Sequence, residues 1–503
     1  MTFFNNIFLL NVKKIFEKLN NCDKIKKIER GSVYNMKKTK IICSIGPSSC
    51  DPNVMAQMVN NGMNVARINF SHATLEEKVG VVNSVHQVRE MTGKTVAILY
   101  DTKGPEFRNG MLENDEINLV EGKTIRVVKE SVLGNEERFS VNHPQAIDSL
   151  SIGDIILLEN GLMKIKVISK ETDGVTCEII NGGVLGNKKS LSVPGVKLDI
   201  PFISDIDRED IIYACEHEGD FIALSFVSSA QDVLEAREIL KEYNREDMKV
   251  ISKIESTTGI ENIDSIIEVS DGIMVARGDL GVEAPLQEIP ILQKLIIDRC
   301  RHFGKFCIVA TEMLESMKKN ARPTRAEVSD IANAVLNGAD AVMLSGETTM
   351  GKYPVETVRY MAEVCECTEK ALDYKVNIDN VERTIPGAIA TSVVETSNLL
   401  KAKLIVAATM SGSTARSISN LRPESLILAT CTDEQTARSL MLNFGVYPVI
   451  TTKYTSTDII VKDAKEQAKL FTELNKDDIL LITGGFTLGE ETVPTNFMKI
   501  EKI

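Results

Sequence analysis

Eight short apolar runs recur along the chain, each ending in polar or glycine residues: KIICSIG, NVARINF, TVAILYD, FIALSFV, VISKIE, GIMVARGDLG, FCIVATEM and AVMLSGET. Continuous apolar runs mark strands buried on both faces, as in parallel sheets. Parallel neighbours need crossover connections, and the segments between the runs supply them. AQDVLEAREILKEYN and PLQEIPILQKLIIDRC repeat apolar residues at helical spacing, the second with Pro290 in its first turns. Eight strand–helix pairs predict a closed α/β barrel, the (β/α)8 TIM barrel, rather than an open sheet.

One gap interrupts the series. Between TVAILYD and FIALSFV lie TIRVV, RFSV, IILLE, MKIKVIS and VTCEII, alternating or β-branched and separated by turns at Asp173-Gly174 and Asn181-Gly182-Gly183. These predict a small all-β domain, a β-barrel, inserted in the third βα loop at 105–198. An insertion there lies over the C-terminal mouth and is placed to act as a lid. From about Lys375 an α/β pattern restarts, with LIVAAT, LILATC, VYPVIT and DILLITGG as strands and AIATSVVETSNLL as a helix. The expected layout is a barrel at 37–104 plus 199–374, the lid at 105–198 and a C-terminal α/β regulatory domain at 375–503. A length of 503 residues suits three such units.

Composition narrows the function classes. With 43% hydrophobic and 26% charged residues the chain reads as soluble and globular. A net charge of -13 argues against nucleic acid as a partner. No apolar run approaches the roughly 20 residues of a membrane span. The 10 cysteines are scattered with no C-x-x-C pair, which argues for reduced thiols in the cytoplasm and against structural zinc. Residues 1–36, rich in Asn, Lys and Ile, lack a signal-peptide cleavage site. They are expected to be a disordered or non-native extension, with translation starting at Met36. A transit peptide is the alternative, opposed by the acids and the scarcity of arginine.

Catalytic groups of such a barrel lie at the strand C-termini. Here six runs end in charge: Arg67–His72, Asp101–Arg108, Ser252–Glu255, Ala276–Gly281, Ala310–Met313 and Ser345–Thr348. Glu255 and Asp279, from neighbouring strands, make an oxygen site suited to Mg²⁺ or Mn²⁺. Lys253 and Glu255, two apart on a strand, face the same side. An ammonium beside a bound cation is what a migrating phosphoryl group needs. A buried ion pair closing the barrel is the alternative for either residue alone. Arg67 and Arg108 are candidate phosphate clamps. Asn69, Ser71, Asp101 and Thr102 offer oxygens carrying one charge, a set fitting a monovalent cation, although hydroxyls at strand ends also satisfy backbone groups. Gly278 lets its own amide and that of Asp279 approach a carboxylate, with Thr311 adding a hydroxyl. In the C-terminal segment, Thr409, Ser411, Gly412, Ser413 and Thr414 lie between a strand and a helix. They form either an anion pocket or a capped helix start.

From Met36 to its end the chain resembles pyruvate kinase. The resemblance rests on TKIICSIGPSS, NVARINFSH, YDTKGPEFR, VISKIES, DGIMVARGDLGVE, ATEMLESM, RPTRAEVSDIANAV and DAVMLSGET, all in order. It implies transfer of a phosphoryl group from phosphoenolpyruvate to ADP, the last step of glycolysis. Lys253, Arg67 and Thr311 would be catalytic, and Arg67, Lys253, Gly278, Asp279 and Thr311 would hold the substrate. Asn69, Phe70, Ser71, His72, Arg108 and Lys189 would contact the nucleotide. Glu255 and Asp279 would hold Mg²⁺, and Asn69, Ser71, Asp101 and Thr102 would hold K⁺, with Glu106 matching the K⁺-dependent variant. A water chain near Thr311, Ser345 and Glu347 would deliver the final proton. The loop at 409–414 would take a phosphorylated effector, and the assembly would be a homotetramer. Two departures stand out: Glu312 replaces the usual glutamine, and Ser228-Ser229 stand where basic residues are common. Two other readings compete. An aldolase-type lyase would share the metal carboxylates but need no lid or K⁺ site. A non-catalytic regulator would be expected to lose Lys253 or a carboxylate.

Overall fold

The computed structural model describes residues 36–71, 74–376, 383–454, 456–485 and 494–503. The chain first lays down β1 (Lys40–Ser44), β2 (Val65–Asn69) and β3 (Ala97–Asp101). It then builds β4 (Glu116–Leu119), β5 (Thr124–Val128), β6 (Arg138–Ser140), β7 (Ile155–Leu158), β8 (Met163–Glu171), β9 (Gly174–Asn181), β10 (Gly183–Gly186) and β11 (Leu191–Ser192). Helical alternation resumes around β12 (Phe221–Leu224), β13 (Lys249–Ile254), β14 (Gly272–Ala276), β15 (Phe306–Ala310) and β16 (Ala341–Leu344).

The eight apolar runs close into one barrel, in the order β1-β16-β15-β14-β13-β12-β3-β2. Every pairing in it is parallel. The apolar runs are continuous because both strand faces are covered. Ile42, Leu99, Ala223, Met274, Ile308 and Met343 fill the interior. Their neighbours Ile41, Ile98, Ile222 and Ile273 pack outward against the helices. The helices begin and end on local signals. Thr74 and Glu77 form a capping box for Leu75–Thr92, which stops at Gly93 with φ 63°. Thr324, Glu327 and Gly338 do the same for Arg325–Asn337.

The insertion is all-β with its own core, including Ile125, Phe139, Ile156, Ile165 and Cys177. Its strands form a six-stranded sheet, β11-β7-β8-β9-β5-β6, and a separate pair, β10-β4. The sheet does not run on into a single ring, because the chain breaks at Gly182-Gly183 and β10 pairs back onto β4. Single bridges from Arg108 to Ser190, Asn109 to Val141 and Leu112 to Gly134 stitch the entering chain to the insertion.

The C-terminal sheet comprises β17 (Leu404–Thr409), β18 (Leu426–Cys431), β19 (Val446–Ile450), β20 (Ile479–Gly484) and β21 (Phe497–Lys502), in the order β19-β18-β17-β20-β21. Only β21 runs antiparallel. This unit seals the barrel floor. Met441 and Leu442 join the interior cluster. Arg438 pairs with Asp220 at 2.7 Å and Arg422 with Asp340 at 3.0 Å. Among the described residues, no helix is long and apolar enough to cross a membrane.

Candidate active site at the barrel mouth

The charged strand ends meet in a cleft of about 860 Å³ at the C-terminal rim, roofed by the insertion. Arg67, Asn69, Ser71, Thr102, Arg108, Lys189, Lys253, Glu255, Asp279 and Thr311 all line it. Asp101 lies just beneath and is fully buried.

The centre is a network of opposed charges. The Lys253 ammonium stands 3.0 Å from Glu255 Oε1 and 3.2 Å from Asp101 Oδ1. It also donates to Ser225 Oγ at 2.7 Å. Arg67 Nε donates to Asp101 Oδ2 at 2.7 Å, and its Nη1 donates to Ser44 Oγ at 2.6 Å. Burial pushes Asp101 up, but Arg67 and Lys253 outweigh it and hold the carboxyl below its ordinary range. Burial lowers Lys253, but Asp101 and Glu255 outweigh it and keep the ammonium charged. Glu255 is pushed up to about 7 by burial, with Asp279 and Asp101 adding to the rise and Lys253 opposing it. Asp101, Glu255 and Asp279 against Lys253 and Arg67 leave this central cluster short of positive charge. Glu255 and Asp279 therefore fit a divalent cation, the rest of whose shell comes from water and substrate. Among the described residues, no three His, Cys, Asp or Glu side chains gather into a closed cage.

Backbone geometry aims the other groups. Thr311 and Glu312 both sit in the left-handed region, at φ 71° and 56°, a strained conformation for a β-branched threonine. Arg277 clamps this turn through Ala310 O at 3.2 Å and Thr311 O at 2.6 Å. Gly278 donates its amide to Thr311 Oγ1 at 2.8 Å, so the two groups expected to meet the substrate carboxylate already touch. Asn69 Oδ1 accepts the Ser71 amide at 3.1 Å, and Thr102 Oγ1 accepts the Ser225 amide at 3.2 Å. Arg108 is engaged twice by Glu106, at 3.0 and 2.5 Å, and Lys189 pairs with Glu159 at 2.7 Å.

Some expectations change. The Phe70 ring is buried, stacked on Tyr100 at 5.1 Å, and does not line the cleft. A nucleotide contact there would have to come from the backbone. His72 lies outside the described residues. Glu347 does not face the cleft either. Its carboxylate accepts the amides of Leu314 at 3.0 Å and Ser345 at 2.8 Å. The Glu312 side chain is exposed and outside the cleft lining. The loop at 409–414 is a separate feature. Ser411 donates to Ser413 at 3.2 Å, Thr414 shares a hydrogen bond with Thr495 at 2.7 Å, and Gly412 takes φ 80°.

Sequence reasoning passed over Ser44, Ser225 and Phe226. They lie at the ends of β1 and β12, the two runs without a terminal charge. Ser225 holds Lys253. Phe226, turned to φ 57°, donates its amide to Glu255 Oε2 at 2.6 Å. The usable signal was position alone: in a barrel, every strand end faces the same mouth.

The family model "Pyruvate kinase, barrel domain" matches residues 36–358, and "Pyruvate kinase, alpha/beta domain" matches 387–501. A pyruvate kinase of Staphylococcus haemolyticus is 44% identical over 474 residues, covering 93% of this chain and 81% of its own. One of Geobacillus stearothermophilus is 44% identical over 473 residues, covering 93% and 80%. The crystal structure of a pyruvate kinase from Cryptosporidium parvum superposes with a TM-score of 0.88 at 38% identity, over 93% of this chain and 96% of that one. A shared fold, matching models for both barrel and C-terminal segments, and this level of identity lead to one conclusion: the chain belongs to the pyruvate kinase family.

Proposed function

We propose that the cleft transfers the phosphoryl group of phosphoenolpyruvate to ADP, giving pyruvate and ATP. The observation that carries this reading is the Lys253 ammonium held between two buried carboxylates at the edge of an open, charge-lined cleft. The bond from phosphorus to the enol oxygen breaks, and a bond to the terminal oxygen of ADP forms. Lys253 neutralises charge on the phosphoryl oxygens in flight. Arg67, braced by Asp101 and Ser44, grips the phosphate. Gly278, Asp279 and Thr311 receive the substrate carboxylate. A divalent cation held by Glu255 and Asp279 would supply Lewis-acid charge to the same oxygens. Asn69, Ser71, Asp101 and Thr102 would hold K⁺. Asn69, Ser71, Arg108 and Lys189 would meet the nucleotide. The enolpyruvate left behind takes a proton at carbon, and Thr311 and Ser345, which line the cleft, would order the water that delivers it.

The reading extends to the rest of the chain. The insertion at 105–198 serves as the lid, and the segment at 375–503 is a regulatory domain with its effector loop at 409–414. Family membership supports a cytoplasmic homotetramer. Ile291 and Leu295, exposed and one helical turn apart, offer an apolar face for such assembly. The test is turnover coupled to lactate dehydrogenase, with Mg²⁺, K⁺ and ADP withdrawn in turn. Activity should vanish without the divalent ion and without ADP. Pyruvate formed from phosphoenolpyruvate without ADP would mean transfer of the phosphoryl group to water and would contradict the reading.

A further inference from the structure

The chain crosses between barrel and insertion twice. Going out, Thr102 is buried at the rim and Phe107 already belongs to the insertion's core. Coming back, Ile200 packs on the insertion's core and Phe202 on the barrel's. The changes of core therefore fall at 103–106 and at Pro201. One buried side chain ties the outgoing crossing to the first helix after the return. Asp207, in the first turn of the helix Asp205–Glu216, is 2% exposed. Its Oδ1 accepts the Gly104 amide at 2.9 Å. Its Oδ2 accepts the Ser204 amide at 3.2 Å and the Ser204 hydroxyl at 2.6 Å.

A capping box needs only the bonds to Ser204. The bond to Gly104, 103 residues away in sequence, serves no capping purpose. Gly104 is also where displacement would be felt. It sits at φ 73°, and a Cβ there would lie 2.8 Å from both Cβ and O of Ser225, the residue that holds Lys253. Two residues on is Glu106, which fixes Arg108.

We infer that Asp207 is a positioning residue for phosphoryl transfer, pinning the outgoing crossing to the barrel helix that follows the return, so that the lid's nucleotide-facing groups stand in register over Lys253. This rests on the reading of the insertion as a lid. Asp207 touches no substrate. Its loss therefore acts on the nucleotide side, while phosphoenolpyruvate, held by barrel groups alone, stays bound.

The test compares Asp207→Ala with Ser204→Ala, which loses the capping hydroxyl but keeps the Gly104 bond. Asp207→Ala should raise KM for ADP about tenfold, the scale of one charge-assisted hydrogen bond. Its affinity for phosphoenolpyruvate with Mn²⁺, by titration calorimetry, should hardly change. Ser204→Ala should leave both constants where they were. If both variants lose thermal stability alike and KM for ADP is unmoved in each, Asp207 is only a cap and the inference fails. Should Asp207→Ala not fold, hydrogen exchange of the wild-type protein decides. A slowly exchanging Gly104 amide supports the pin, and exchange at the rate of a free loop overturns it. Absence of wild-type turnover would instead count against the proposed reaction.

Discussion

Lys253 has three partners, and they do different work. Asp101 is shared with Arg67 and keeps the lysine charged, Glu255 is the partner a divalent ion would take over, and Ser225 is neutral. Were Glu255 to turn to such an ion, Asp101 and Ser225 would remain to hold the ammonium in place. Ser225→Ala should therefore lower kcat about tenfold, the cost of one hydrogen bond to a charged group, with KM for phosphoenolpyruvate little changed. Steady-state kinetics checks this. Glu255→Gln should abolish measurable Mn²⁺ binding in a calorimetric titration while the barrel stays folded. The charged members of this site were legible because acids and bases at strand ends have no packing reason to be there. The serines were not, because a hydroxyl at a strand end ordinarily serves the backbone.

The barrel strands were legible for a related reason: both faces are buried, so the apolar run is unbroken. β4 and β10 offer only two apolar residues each, the two-residue β11 is too short to show any period, and β21, on the sheet edge, alternates only weakly. Ion pairs at the strand starts make a separate prediction. At the foot of β14, burial would raise Asp271. Lys249 and Arg237, with the Val250 amide, outweigh it and hold the carboxyl below its ordinary range. A depressed carboxyl stabilises the fold above the ordinary value near about 4, and that contribution is lost as pH falls through the lower folded value. Asp271→Asn should cost about 2 kcal/mol at pH 7, the range for hydrogen bonds to a charged group. The gap from wild type should narrow on acidification, as chemical denaturation across pH would show. A gap that is constant with pH would mean that the charge is not what stabilises.

Across the whole molecule, the order of units could be read from the sequence but their contacts could not. Nothing in LMLNF marks Met441 and Leu442 as a plug for the barrel floor, since apolar residues before a glycine turn suit any core. That seal, with Arg438 on Asp220 and Arg422 on Asp340, joins the proposed effector domain to the strands that carry the site. Ser411→Asp with Ser413→Asp should abolish activation by any phosphorylated metabolite that activates the wild type, leaving basal turnover intact. Ile291→Asp with Leu295→Asp should reduce the assembly seen by light scattering to smaller species. The central claim is that one ammonium neutralises the phosphoryl group in flight. Its most direct measurement is turnover of Lys253→Met beside phosphoenolpyruvate binding to the same protein on Mn²⁺. Loss of that one donor should cost about 3–4 kcal/mol, a hundred- to a thousandfold in kcat, with binding retained. Turnover near the wild-type rate would contradict the account.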